Sequence, residues 1–198
     1  MVNKEYYSIF ADIHLLSYNK DSFLSSLGGN FLKTFYKAFL RSQESISAYV
    51  VSDEDQIIGF IIGCIQSKGF YKRLIKQNSL LFFFHGIQII FSKPKAIIRL
   101  VKNLDKIKNK ADDGNYCEIL SIAVSSNYKN RGIGKELLKR FEEEALTKGC
   151  EKIALTTDYY NNENALALYK ENGYKLFYEF TTHPNRKMYK LIKELKEK

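Results

Sequence analysis

The residues best suited to chemistry lie in one short run, Lys129-Asn130-Arg131-Gly132-Ile133-Gly134-Lys135. Two glycines at the mouth of a helix leave backbone N–H groups with neither an intrahelical acceptor nor a side chain over them. Such donors, together with the positive end of the helix dipole, favour an anion, phosphate above all. Lys129, Arg131 and Lys135 bring three cations to the same spot. A plain tight turn also uses paired glycines, so the run alone leaves both readings open. Upstream, Glu118 is the one carboxylate within the apolar run Tyr116–Val124 (YCEILSIAV). A carboxylate there is out of place unless it faces a cavity, where it is a candidate base, or pairs with a lysine.

These residues need elements to hold them. Tyr116 to Val124 reads as a buried strand, and Gly132 to Lys148 as a helix with Ile133, Leu137, Leu138, Phe141 and Leu146 inward and Gly149 ending it. Lys152 to Thr157 is a second strand, Asn162 to Asn172 a short helix closed by Gly173, and 174–180 with 186–192 a closing pair of strands. Before them, Glu5 to Phe39 is helical in pattern with a break at Gly28-Gly29, and 46–51 with 57–65 form two strands about a polar turn. The layout is α/β around one mixed sheet, in a single domain.

Net charge is +9, and one stretch carries it. Residues 68–110 hold eleven basic side chains against Asp105 alone, so the rest of the chain is near neutral. The same stretch contains the run Leu80–Phe91, at twelve residues too short to span a bilayer, which takes roughly 20. After Pro94 a helical pattern sets Ile97, Leu100, Val101, Leu104 and Ile107 opposite Lys95, Arg99, Lys102, Lys106 and Lys110. It reads either as a solvated face or as a surface for an anionic partner: a membrane or a phosphate-bearing substrate, with nucleic acid not expected. Cys64, Cys117 and Cys150 are dispersed, which argues for free, small apolar residues, a reducing, cytoplasmic compartment and no zinc site. The opening residues carry Glu5 and Asp12 with no apolar run, so no secretory signal is expected. His14, His85 and His183 share no metal spacing, and the acidic Glu142-Glu143-Glu144 reads as a solvated helix face.

Ile122-Ala123-Val124 followed by Lys129 to Lys135 resembles the pyrophosphate-binding motif of the GNAT superfamily of N-acetyltransferases, usually Arg or Gln, two residues, Gly, one residue, Gly or Ala. Lys129 departs from it, keeping the charge and losing the planar group. A second block, Asn162-Glu163-Asn164-Ala165-Leu166-Ala167-Leu168-Tyr169 with Gly173-Tyr174, is similar to the family's Asn-x-x-Ala-x-x-x-Tyr helix and the Gly-aromatic after it. The resemblance spans about Tyr116 to Tyr174, weakens at 46–65 and does not cover the insert at about 68–110.

This resemblance implies a mixed, mostly antiparallel sheet flanked by helices, with acetyl-CoA as co-substrate and no metal. The pantetheine arm would lie where the strand ending in Ile122-Ala123-Val124 splays from its neighbour, and the pyrophosphate on the N–H groups of Asn130, Arg131, Gly132, Ile133, Gly134 and Lys135. Asn162 would hold the arm, and Asn164 would cap its helix or assist. Glu118 stands where some members carry the base, whereas another base position, about Thr157 here, cannot serve. Tyr169 would be the general acid, against the reading that it merely packs in the core. The Val124 N–H would stabilise the oxyanion, and attack would be direct, in a ternary complex. A weaker similarity, in Ser22 to Gly28, Phe31-Leu32 and Thr156-Thr157-Asp158, is to a branch associated with surface-polysaccharide synthesis. It implies an amino-sugar acceptor on a phosphate-bearing carrier, with Asp158 and His85 as candidate contacts. A protein or peptide N-acetyltransferase, or a non-catalytic acyl-CoA-binding module at a membrane, are the alternatives.

Overall fold

A computed structural model describes residues 6–18, 23–83, 112–183 and 185–195. His85, most of the apolar run at 80–91 and the basic helical pattern after Pro94 lie outside these residues. Helices α1 (Tyr6–Ser17), α2 (Phe23–Leu27) and α3 (Gly29–Arg41) come first, α3 starting behind Gly28 at φ 94°. Strands β1 (Ser45–Val51) and β2 (Ile57–Cys64) form the expected hairpin, and α4 (Phe70–Gln77) opens the insert. The rest is β3 (Cys117–Val124), α5 (Ile133–Thr147), β4 (Lys152–Asp158), α6 (Glu163–Glu171), β5 (Lys175–Thr182) and β6 (Arg186–Glu194).

The six strands make one sheet in the order β1-β2-β3-β4-β6-β5. Every neighbouring pair is antiparallel except β3 and β4. β2 (IIGFIIGC) is apolar along its length because the sheet is covered on both faces there. On one face Leu137, Leu138 and Phe141 of α5 pack on Ile46, Ile61, Ile119, Ile153 and Leu155. On the other, Phe10 of α1 and Leu32, Tyr36 and Phe39 of α3 pack on Phe60 and Ile62, with Phe70 and Leu74 of α4. Fully burying side chains of this size stabilises a fold by about 1.5–3 kcal/mol each. Gly63 has no room for a side chain: an added Cβ would lie 2.3 Å from the Glu118 carbonyl oxygen and 2.4 Å from Phe141 Cζ. Glycine there lets α5 and β3 close on β2 where the β3 register skips Leu120.

Two expectations are corrected. Cys117 and Cys150 are joined by a disulfide. They stand 33 residues apart in sequence, but Cys150 directly precedes β4, whose parallel neighbour β3 begins at Cys117. Cysteine usage therefore no longer argues for a reducing compartment; only Cys64 is free, and it is buried. Nor is the acidic trio uniformly solvated. Glu142 is half-buried and accepts from Lys193 Nζ at 2.7 Å, whereas Glu143 and Glu144 make i,i+4 pairs with Lys139 and Lys148. Among the described residues, no helix is long and apolar enough to cross a membrane.

Candidate active site

The site begins where β3 and β4 part. β3 pairs with β2 from Glu118 to Val124, yet with β4 only through Cys117, Glu118 and Ile119. Among the described residues, the β4-facing edge of β3 carries no strand beyond Ile119. Ser125 N–H turns back to the Ile58 carbonyl at 2.8 Å, so by strand alternation the N–H and C=O of Ile122 and Val124 face that edge. A mixed sheet so splayed offers an extended ligand the backbone partners of a missing strand.

The chain then turns through the 3₁₀ segment Ser126–Tyr128, with Asn130 at φ 61° and Gly132 at φ 79°. An added Cβ at Gly132 would meet nothing within 4 Å, so the turn's backbone is uncovered. The first helical bond of α5 is Glu136 N–H to the Gly132 carbonyl, 3.1 Å, leaving the N–H groups of Ile133, Gly134 and Lys135 ahead of it without helical acceptors. Lys129, Arg131 and Lys135 are exposed, and among the described residues none is in an ion pair. Arg131 lies over the Tyr128 ring at 5.2 Å. The predicted phosphate run is therefore a concentration of free donors and uncompensated cations at a helix start, adjoining the open strand edge.

Tyr169 lies on α6, 6% exposed, edge-on to Tyr174 with centroids 6.0 Å apart. Its hydroxyl has no hydrogen-bond partner among the described residues, and burial pushes its pKa well up, so it keeps its proton at neutral pH. Leu168 ties α6 to the start of α5, its Cδ2 only 3.1 Å from where a Gly134 Cβ would stand. Asn162 occupies the N-cap position of α6 but makes no cap bond. Its Nδ2 instead donates to Thr157 Oγ1 (2.5 Å) and to the Asp158 carbonyl (3.1 Å), fixing α6 to the end of β4. Asn164 lies within the first turn of α6, past the capping position.

Glu118 is engaged at both oxygens, accepting from Lys190 Nζ at Oε1 and from Ser67 Oγ at Oε2. The lysine and glutamate side chains are 6% and 15% exposed, and Lys190 also lies 4.9 Å from the Tyr116 ring centroid. The pairing with Lys190 is the one that the lysine-partner reading of Glu118 expects. Asp158 is likewise compensated, by a two-pronged pair with Arg186 at 2.5 Å for each bond.

Sequence reasoning missed Lys190, Ser67, Arg186, Ser121 and Tyr36. Lys190 had a signal: it falls in phase with Met188 and Ile192 on β6, an apolar alternation that a lysine enters only with a partner. Ser121 of β3 is joined to His14 of α1 and Tyr36 of α3, with Tyr36 Oη 2.7 Å and Ser121 Oγ 3.4 Å from His14 Nδ1. Burial lowers the His14 pKa to about 4, so its imidazole is neutral, and among the described residues its buried Nε2 has no partner. Nothing in the local pattern of α1 distinguishes His14 from a surface histidine.

Compared with known proteins, the chain is 43% identical over 63 residues to the uncharacterized protein YdhI of Bacillus subtilis (strain 168). That stretch covers 32% of this chain and 38% of YdhI, well under half of the curated relative. A crystal structure described as an acetyltransferase superposes with a TM-score of 0.64 at 19% identity, covering 98% of this chain and 97% of that one. Aminoglycoside 6′-acetyltransferase type Ii gives 0.63 at 16% identity, covering 100% and 94%. Both share the fold. The Acetyltransferase (GNAT) family matches residues 15–174, a range holding the open β3 edge, the glycine turn and Tyr169, and the chain belongs to that family.

Proposed function

We propose that the protein transfers the acetyl group of acetyl-CoA to a primary amine of a small, phosphate-bearing acceptor such as an amino sugar, by direct attack in a ternary complex. The observation that carries the reading is the continuity of the β3 edge that β4 leaves beyond Ile119 with the cationic turn at 129–135. An extended arm ending in a pyrophosphate fits that sequence of backbone donors and acceptors followed by free N–H groups and three cations.

In this reading Ile122, Ala123 and Val124 hold the arm, with the outward N–H of Val124 available to the thioester oxygen. Lys129 to Lys135 hold the pyrophosphate, and Asn162 orders the β4 side of the gap. Glu118 takes the amine proton while Lys190 and Ser67 keep its carboxylate oriented. As the C–N bond forms and the C–S bond breaks, Tyr169 gives its proton to the departing thiolate and regains one from solvent. Asp158, held by Arg186, faces the acceptor, and the basic stretch at 68–110 together with His85 supplies the phosphate side.

The test is CoA release with a panel of amines: nucleotide-linked amino sugars, aminoglycosides, polyamines and short peptides. Turnover with the phosphate-bearing sugars, and a raised acceptor KM on neutralising Lys95, Arg99 and Lys102 with acetyl-CoA unaffected, is expected. Turnover only with peptides would replace the acceptor assignment, and binding without turnover on any amine would point to a non-catalytic module.

A further inference from the structure

The β3 edge is not bare. The last residues of α1 reach across and occupy it. Tyr18 Oη donates to the Ile122 carbonyl at 2.8 Å and accepts from the Ile122 N–H at 3.1 Å. It also accepts from Ser121 Oγ at 3.1 Å. Ser17 Oγ donates to the Val124 carbonyl at 3.2 Å. Two consecutive side chains thus take three of the four outward backbone groups of Ile122 and Val124.

The arrangement is built rather than incidental. The Tyr18 ring stacks on His14, centroids 4.3 Å apart and planes 25° apart, and His14 is buried and anchored by Tyr36. Tyr18 Oη has one proton and two acceptor sites, and all three are used. A hydroxyl so satisfied leaves the Ile122 N–H no capacity for a second acceptor. The Ile122 N–H cannot serve Tyr18 and an extended ligand together.

We propose that Ser17 and Tyr18 are a built-in competitor for the acyl-CoA arm, with Tyr18 Oη holding the Ile122 groups with which the arm would pair. This rests on the reading of the β3 edge as the acyl-CoA site. Pairing of the arm with the Ile122 N–H requires Tyr18 to release it, so the measured affinity is the intrinsic affinity reduced to the fraction of molecules already released. Tyr18 thereby sets how strongly the enzyme holds acetyl-CoA without touching the transferred group.

The variant that tests this is Tyr18→Phe, which keeps the ring on His14 and removes the hydroxyl. Ser121 Oγ retains His14 Nδ1 as a partner, so the substitution is not expected to prevent folding. Titration calorimetry with acetyl-CoA on wild type and Tyr18→Phe gives the readout, with Ser17→Ala as the milder case and amide exchange at Ile122 reporting release. The inference expects Tyr18→Phe to bind acetyl-CoA about five- to tenfold more tightly, from net hydrogen-bond contributions of ordinary size, and its Ile122 amide to exchange faster before ligand is added. Equal or weaker binding by Tyr18→Phe, with wild type binding normally, would overturn this inference alone. Binding by neither protein would overturn it together with the acyl-CoA reading beneath it.

Discussion

Glu118 and Lys190 offer a perturbation whose size follows from their surroundings. Both side chains are nearly enclosed, and among the described residues each has only the other as a charged partner, beside the Tyr116 ring and the Ser67 hydroxyl. Glu118→Gln preserves shape and leaves the Lys190 ammonium buried against a neutral amide. Breaking a buried pair from one side costs about 3–5 kcal/mol, and the partial exposure of Glu118 argues for the lower end. For a chain of this length about 3 kcal/mol corresponds to a fall in Tm of roughly 6–12 °C. Lys190→Met should cost somewhat less, because Ser67 still donates to the stranded carboxylate. Replacing both, Glu118→Leu with Lys190→Met, removes the desolvation cost along with the attraction and should return stability to within about 1 kcal/mol of wild type. Urea unfolding of wild type, Glu118→Leu, Lys190→Met and the double variant gives the cycle, with a coupling of at least about 2 kcal/mol expected. Additive single effects, or a Glu118→Gln loss below about 1 kcal/mol, would show that the pair is not enclosed as described. Activity separates the two roles of the carboxylate: if Glu118 is the base, the stable double variant stays inactive.

Three further outcomes are expected. Tyr169→Phe should lower kcat about a hundredfold or more with little change in acetyl-CoA KM, since the thiolate loses its proton donor; steady-state kinetics checks it, and an unchanged kcat would return Tyr169 to a packing role. Gly132→Ala should weaken acetyl-CoA binding and lower stability by about 1–2 kcal/mol, because a side chain is strained at φ 79° and its methyl would cover the uncovered turn; calorimetry and thermal melting check it. His14 is held neutral by burial with a pKa of about 4, below the unfolded value near 6.5. The unfolded chain then binds the extra proton first, so stability is full above about pH 6.5 and is lost as pH falls toward 4, by about 3 kcal/mol. His14→Phe should flatten that slope in urea titrations at several pH values.

The order of elements from β1 onward was legible because each carries its own periodicity and its own stop: Gly149 and Gly173 end α5 and α6 at positive φ, as their places in the pattern require. The glycine turn was legible because its chemistry is local, in contiguous backbone and charge. What could not be read is what the fold brings together. The disulfide joins residues made neighbours by the β3–β4 pairing, and Lys190 meets Glu118 only because β6 is the next strand beyond β4. The Tyr18 and Ser17 contacts cross more than a hundred residues of sequence. The motif position of Asn162 implies a ligand for the arm and says nothing of its Nδ2 bonds to Thr157 and Asp158, an orientation set by how α6 leaves β4.

The most direct test of the account is amide exchange measured by NMR during an acetyl-CoA titration. The account predicts saturable binding with new protection at 130–135 and at Val124, together on one isotherm. Saturable binding that leaves those amides unprotected, or no binding at all, would contradict it.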